Sequence, residues 1–204
     1  MSDDKYWTQG MEKLEQYSAL IDKFVATFPD EIREPVVAML KGKIGNQFME
    51  APASSRKGFH YAFPVGLVAH SLNVVTNALK LAETLAPGRW PKWKIIFCGL
   101  FHDLGKAGSV GKPYYIKNDE RWKWDRGDYY SVQQEDYMPS SEKGLYILQQ
   151  AAVPLDHEMY MAIRLNDGMG PPENKVYSFK EPPLSLVIHW ADHWASVMEK
   201  EELK

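Results

Sequence analysis

The chain has 204 residues, of which 45% are hydrophobic, and a formal net charge of −3. This length supports one substantial core, so we expect a single domain over 1–204, with N-terminal helices over 1–50 and the body of the domain over 51–200. The slightly negative charge excludes a global basic field of the kind that drives nucleic-acid binding and leaves room only for a local basic strip.

Cysteine content and hydrophobic segments bear on the compartment. The one cysteine, Cys98, lies in an apolar segment, so there is no disulfide framework and Cys98 is expected to be a small buried residue. The N-terminus lacks the basic start and apolar stretch of a signal peptide, and no apolar run is long enough to cross a bilayer. We therefore expect a soluble, cytoplasmic protein with no membrane contact.

Apolar residues at three- to four-residue spacing predict helices in the N-terminal part of the chain. The first helix ends near Pro29, and Pro35 is expected to begin the second, whose apolar stripe reaches Phe48. Residues 51–64 have the proline, serine and glycine content of a loop. The apolar stripe of the first helix consists of Leu14, Tyr17, Ile21, Phe24, Val25 and Phe28.

The rest of the chain continues the helical pattern with one interruption. A long helix is predicted from Val65 to Leu85, and Pro91 opens another that ends near Gly105. Residues 107–138 alternate in character and predict an irregular excursion with a small β-hairpin. Three further helices are predicted over 140–151, 155–166 and 183–200. The fold class is therefore all-α, a helical bundle with one small β excursion.

Four polar residues occupy helical positions where apolar side chains would be expected: His70, His102, Asp103 and Asp192. Each can be explained singly as a hydrogen-bonded core residue or a helix cap. Together they present imidazoles and carboxylates from three separate helices, and one divalent cation would satisfy all of them. Neighbouring helix residues point about 100° apart, so His102 and Asp103 reach one ion only near a helix end. Gly105 is predicted to supply that end in a left-handed cap conformation.

With these residues the chain resembles the HD superfamily of metal-dependent phosphohydrolases over roughly 50–198. The nearest likeness joins "APASSRKGFHYAFPVGLVAHSLNVV" and "GLFHDLGK", with "ADHWA" downstream. These segments resemble the HD domain of bacterial 3′-to-5′ exoribonucleases and small phage HD proteins. The resemblance implies that the four residues just named are the metal ligands and that Asp103 bridges two ions in binuclear relatives. Asn166 stands where related small HD proteins often have a histidine.

A set of two imidazoles and two carboxylates suits manganese, iron, cobalt or nickel, and magnesium or zinc is also compatible. Such an ion lowers the pKa of water and polarises a phosphoryl group, so the expected reaction is in-line hydrolysis with Asp103 at its centre. Lys106 is the first candidate to stabilise the charge that develops on the phosphoryl oxygens. The alternative role of Lys106 is to interact with the C-terminal dipole of its own helix.

The loop over 51–64 carries further candidates. Arg56, Lys57 and His60 are expected to bind phosphate or to protonate a leaving group, and the alternative is a solvated basic loop. His60 is the stronger candidate because aromatic neighbours would hold its part of the loop against the core.

Other polar and aromatic residues near the predicted site have two interpretations each. Asp167 either helps to bind metal or makes a turn. His189 and His193 flank Asp192, and one of them is expected to orient its carboxylate. His157 is expected on a helix surface. Six aromatic residues of the excursion form either a base-stacking wall or, as we favour, a packed hairpin face: Tyr114, Tyr115, Trp122, Trp124, Tyr129 and Tyr130.

The sequence therefore predicts an enzyme that hydrolyses phosphate esters of nucleotides, as a nucleotidase or a deoxynucleoside triphosphohydrolase. The alternative enzyme is a phosphodiesterase or 3′-to-5′ exonuclease on short nucleic acids. A third alternative, less favoured, is a non-catalytic binding module stabilised by metal. The expected partners are a nucleotide or short nucleic-acid substrate and a divalent metal, and a homo-oligomer is compatible with the sequence.

Overall fold

Helices dominate the described part of the chain, which covers residues 7–135 and 137–203 of the computed structural model. The sheet within these residues consists of two short antiparallel strands. The expected all-α class with a small β excursion is therefore confirmed. Among these residues, no helix combines the length and apolar character that crossing a membrane requires.

The N-terminal region folds as a short 3₁₀ turn followed by three helices. The first helix buries Ile21 and Val25, as the apolar spacing predicts. The elements are the 3₁₀ turn Met11–Lys13, α1 (Leu14–Val25), α2 (Asp30–Lys41) and α3 (Lys43–Glu50).

The prediction that Pro35 begins a helix reaching Phe48 is wrong at its start. Helix α2 begins five residues earlier, at Asp30, and Pro35 lies inside it. Pro29 precedes the helix, and two acidic residues in the first turn interact favourably with the positive end of the helix dipole. These signals at the N-terminus outweigh the preference of a proline for the first helical turn.

The same prediction also misses a break between α2 and α3. Helix α2 ends at Lys41, Gly42 has an extended backbone, and α3 starts at Lys43. Gly45 makes this break sterically feasible, since a Cβ on it would lie 1.8 Å from the carbonyl oxygen of Leu40. The stripe that reads as one helix is therefore shared by two.

Two central helices follow, α4 (Gly66–Leu85) and α5 (Lys92–Phe101), and they pack against each other. Val65 has a left-handed backbone with φ of 70° immediately before α4. Helix α5 is buried along its second half, and Cys98 is fully buried there, as expected.

The end of α5 differs from the prediction. The helix ends at Phe101, and Gly105 lies in a 3₁₀ turn over Leu104–Ala107 rather than in a left-handed cap. Glycine is required there because of packing, since a Cβ on Gly105 would lie 1.9 Å from the carbonyl oxygen of Ser140. Gly108, with φ of 93°, follows this turn.

The excursion contains the predicted hairpin and one helix that the sequence analysis did not predict. Strand β1 (Tyr115–Lys117) pairs with β2 (Tyr130–Val132), with Tyr115 opposite Val132 and Lys117 opposite Tyr130. The short helix α6 (Arg121–Asp125) lies between the two strands.

Aromatic residues of the excursion pack against each other, against Trp7 near the N-terminus and against Phe63 in the loop before α4. The ring of Trp124 lies 4.8 Å from that of Trp7, and the ring of Tyr129 lies 5.1 Å from it. Tyr129 and Tyr130 are buried in this cluster with Phe63. For these residues the packed hairpin face is the interpretation that the structure supports.

Three helices complete the fold: α7 (Ser140–Gln150), α8 (His157–Arg164) and α9 (Pro183–Glu202). Their bounds lie within two residues of the predicted ones. The carboxylate of Asp156 accepts a hydrogen bond from the backbone N–H of Met159 at 2.9 Å, which caps α8. Helix α9 packs against α4 and α8, so that α4, α5 and α9 meet at the centre of the molecule.

Candidate metal centre

Three segments bring two imidazoles and one carboxylate together at the centre of the fold. His70 lies in the second turn of α4, His102 directly follows α5, and Asp192 lies midway along α9. Nε2 of His70 lies 3.0 Å from Oδ1 of Asp192, and Nε2 of His102 lies 3.8 Å from the same oxygen. The three ligand atoms lie within 4.8 Å of one another, so the group could hold a metal ion.

Asp103 lies beside this group. Its Oδ2 atom is 3.5 Å from Nε2 of His102 and 3.9 Å from Nε2 of His70. The backbone of Asp103 is not α-helical, with φ of −109° and ψ of 16°. The 100° angle between neighbouring helical side chains therefore does not apply to His102 and Asp103. The structure thus brings all four predicted ligands together.

Hydrogen bonds on the far side of each imidazole set which nitrogen faces the group. Nδ1 of His70 lies 3.0 Å from Oε2 and 3.2 Å from Oε1 of Glu199, and Nδ1 of His102 lies 2.8 Å from the carbonyl oxygen of Gly99. Both partners are acceptors, so each Nδ1 carries a proton and donates it. In a neutral ring this leaves the lone pair on Nε2, which is the arrangement of a metal-ligating histidine.

The Nε2 atoms of His70 and His102 are buried and have no hydrogen-bond partner among the described residues. The contact between His70 and Asp192 has a suitable distance, but its direction is not that of a hydrogen bond. Leaving two buried polar atoms without partners costs about 1–3 kcal/mol each. A divalent cation would satisfy both nitrogens, so the residues present fit such an ion.

Opposite charges in the group shift each other's pKa. Burial alone would lower the pKa of His70, but the negative charge of Glu199 and the contact with Asp192 raise it to about 10. Burial alone would raise the pKa of Asp192, but the contact with His70 and the neighbouring His102 lower it to about 2. Without a bound ion, His70 and Asp192 therefore carry opposite charges, and a cation would bind by displacing the proton from Nε2 of His70.

Lys106 forms an ion pair with Asp103. Nζ of Lys106 lies 2.5 Å from Oδ2 of Asp103, and its side chain is only 17% exposed. Burial alone would lower the pKa of Lys106, but the charge of Asp103 raises it above its ordinary value. Lys106 is thus a permanent positive charge at the edge of the group, with a carboxylate as partner rather than only a helix dipole.

His60 stands next to the group, as the sequence analysis expected. Its ring centroid lies 4.6 Å from that of His70, and its Nε2 is buried without a hydrogen-bond partner among the described residues. Burial, with the neighbouring His70 and Lys106, lowers the pKa of His60 to about 2. His60 is therefore neutral, with one ring nitrogen that donates and one that accepts a hydrogen bond.

The structure places Arg56 in a different setting. Nε of Arg56 lies 2.8 Å from Oδ1 of Asp128, and the Arg56 side chain is 58% exposed. This ion pair joins the loop before α4 to the excursion. Nearby, the backbone N–H of Lys57 donates to the carbonyl oxygen of Gly127 at 2.9 Å. The side chain of Arg56 and the backbone of Lys57 therefore both connect this loop to the segment just before β2.

Asn166 and Asp167 line the side of the group near α8. Asn166 is fully buried, and its Nδ2 lies 3.5 Å from Oδ1 of Asp103. Asp167 as a residue is exposed, but the surrounding protein partly desolvates its carboxyl, and this desolvation together with the negative charge of Asp103 raises its pKa. Asp167 is thus close enough to sense the charge of the group.

The two histidines that flank Asp192 do not orient its carboxylate through any described contact. Nδ1 of His189 donates to the carbonyl oxygen of Asn166 at 2.7 Å, and His193 is exposed. The hydroxyl of Ser196 lies 3.4 Å from Oδ1 of Asp192 and is the side chain that supports it. His157 is exposed on α8, as expected.

Sequence reasoning missed Glu199. This carboxylate is only 1% exposed, although it lies in the charged segment "EKEE" that reads as a solvated helix end. Its signal in the sequence is the spacing of seven residues from Asp192, because residues seven apart lie on nearly the same face of a helix. Asn73, which donates to Oε1 of Glu199 at 2.8 Å, carries the same kind of signal three residues after His70.

Comparison with protein-family models, curated proteins and solved structures found no match to this chain.

Proposed function

We propose that this chain is a metal-dependent phosphohydrolase of the HD superfamily that acts on phosphate esters of nucleotides. The observation that carries the proposal is the pair of buried Nε2 atoms, of His70 and His102, which face Asp192 without hydrogen-bond partners. Structural histidines are ordinarily hydrogen-bonded on both sides when buried. Here the Nδ1 sides are bonded and the Nε2 sides converge, which is the pattern of a metal site.

In this proposal His70, His102 and Asp192 hold the ion, and Asp103, whose Oδ2 lies 3.5 Å from Nε2 of His102, is the fourth ligand. Two nitrogen and two oxygen donors suit manganese, iron, cobalt or nickel better than magnesium alone. When bound, the ion supplies a water molecule of lowered pKa and neutralises charge on a phosphoryl group.

The residues around the group serve the phosphate in this proposal. Lys106 stays positively charged and can stabilise the negative charge that develops on a phosphoryl oxygen during hydrolysis. His60 offers a neutral nitrogen beside His70, suited to a hydrogen bond with a phosphate oxygen or hydroxyl. Arg56 could bind a phosphate only by giving up its ion pair with Asp128. We therefore leave it out of the proposed phosphate-binding residues.

The test is hydrolysis of a nucleotide panel by the purified chain with Mn²⁺, together with elemental analysis of chain purified without affinity histidines. We expect release of orthophosphate, triphosphate or nucleoside by the natural chain and a loss of about 100-fold or more in Asp103→Ala. Asp125→Ala removes an exposed carboxylate of α6 and is the matched control, with activity expected to be unchanged.

Equal product release by the natural chain and Asp103→Ala would contradict the proposal. Release of nucleoside monophosphates from an oligonucleotide, with mononucleotides untouched, would replace it with the exonuclease alternative. Metal binding with no hydrolysis of either substrate would replace it with a metal-stabilised binding module.

A further inference from the structure

A buried carboxylate outside the proposed ligand set contacts the metal centre through His70. Glu199 lies on the inner face of α9 and is 1% exposed. Placing an ionised carboxylate in such surroundings is costly unless it is paired and hydrogen-bonded. A role that explains its position must therefore involve the groups that it contacts.

The contacts of Glu199 are directed at one ligand. Both carboxylate oxygens lie within hydrogen-bond distance of Nδ1 of His70, at 3.0 and 3.2 Å, and Asn73 donates to Oε1 at 2.8 Å. Asn73 also lies 3.4 Å from the hydroxyl of Tyr61, in the loop before α4. The carboxylate is thus held by two residues one turn apart on α4, and its contact with the imidazole is through Nδ1.

A carboxylate on the far nitrogen of a ligating histidine fixes the orientation of the ring and increases its basicity. The other ring, that of His102, has a neutral backbone carbonyl at the same place. The two imidazoles are therefore unequal donors: His70 has a negatively charged partner and His102 does not.

We propose that Glu199 is the positioning residue of the metal centre, which holds His70 with Nε2 toward the ion and makes it the stronger of the two nitrogen donors. This inference rests on the proposed metal-dependent function. It assigns a role to a residue in the last turns of α9, two helical turns from Asp192.

The test compares Mn²⁺ affinity in the natural chain, Glu199→Gln and Glu202→Gln, measured by calorimetric titration of the full chain. Glutamine keeps the reach of Glu199 but removes its charge, so we expect Mn²⁺ to bind 10- to 100-fold more weakly. Glu202 lies on the same helix, accepts a hydrogen bond from Tyr61 at 2.8 Å and does not contact His70 in the described structure. Glu202→Gln is the matched control, with affinity expected to stay within about twofold.

A purely structural role makes a different prediction. It would lower the melting temperature of metal-free Glu199→Gln and leave the Mn²⁺ affinity of the folded chain unchanged, and that result would overturn the inference. The visible spectrum of the Co²⁺-loaded chain gives a second measure, since a changed His70 donor shifts its bands in Glu199→Gln and not in Glu202→Gln.

Should Glu199→Gln fail to fold, Asn73→Ala carries the test. This variant removes the donor that fixes Oε1 and is expected to weaken Mn²⁺ binding three- to tenfold. Natural affinity in Asn73→Ala would then overturn the inference. A natural chain that binds no Mn²⁺ at all would instead contradict the proposed function itself, which separates the two failures.

Discussion

At the scale of single residues, Lys106 and Lys94 are both largely shielded from solvent, and each is paired with at least one carboxylate. Lys106 meets Asp103 at the edge of the metal centre, and Lys94 meets two carboxylates at the junction of α5 and α8. Nζ of Lys94 lies 2.6 Å from Asp156 and 3.2 Å from Glu158. The second cluster is remote from the metal centre in its contacts and therefore serves the fold.

The ion pairs of Lys94 with Asp156 and Glu158 contribute to the stability of the fold. We expect Lys94→Met to lower the free energy of unfolding by about 1 kcal/mol at pH 7, measured by urea denaturation. Lys92→Met, which changes an exposed lysine of the same helix, is the control and should be nearly neutral.

The pH dependence follows from the carboxylate. Burial alone would raise the pKa of Asp156, but the hydrogen bond from Lys94 lowers it below its ordinary value of 3.8. A lowered pKa means that the contribution is fully present above the unfolded value and is lost as pH falls through the folded one. The difference between Lys94→Met and the natural chain should therefore shrink below about pH 4. A constant difference down to pH 2 would contradict this account.

At the scale of elements, close backbone contacts decide where helices end. The 3₁₀ turn after α5 touches the start of α7 through two glycines, Gly105 and Gly144, with no room for a side chain on the first. This contact positions the turn that carries Lys106 and that follows two of the proposed ligands, His102 and Asp103.

We expect Gly105→Ala to lower the free energy of unfolding by about 2–3 kcal/mol, because the backbone must move to accept a Cβ 1.9 Å from the oxygen of Ser140. Gly58→Ala is the matched control, since a Cβ there meets no atom within 4 Å. Urea denaturation of both variants measures the difference, and equal stabilities would contradict the packing argument.

Sequence patterns predict some of these elements and not others, for physical reasons. Helices α4, α5 and α7 to α9 follow from their apolar stripes and flanking prolines, which are local signals, whereas the short α6 carries no such stripe. The break at Gly42 and the role of Gly105 depend on how closely two backbones approach, which no local signal encodes. The four predicted ligands stood out because polar groups interrupt apolar stripes, whereas Glu199 was missed because charged neighbours hide it.

At the scale of the whole molecule, the proposed ligands come from parts of the chain more than 120 residues apart, at His70 and Asp192. An ion bound between them would connect α4, the end of α5 and α9, which meet at the centre of the fold. Binding to the folded state alone shifts the folding equilibrium toward that state. Occupancy of the proposed metal centre would therefore be linked to the stability of the fold.

Mn²⁺ at about 100 times its dissociation constant is expected to stabilise the chain by about 2.7 kcal/mol, or about 5–10 °C in melting temperature. Differential scanning calorimetry with and without the ion measures the shift, and a chelator should reverse it. Asp192→Ala removes the carboxylate that both imidazoles face and should show no shift. An equal shift in that variant would mean that the ion binds elsewhere.

The seven-residue spacing of Asp192 and Glu199 has a consequence for the lineage of this protein. One helix touches both nitrogens of a single imidazole, so inserting or deleting one residue between the two carboxylates would rotate one of them by about 100° away from the ring. Descendants of this chain can accept insertions more readily in exposed loops that do not contact the candidate site. Within this two-turn stretch of α9 they can only exchange side chains.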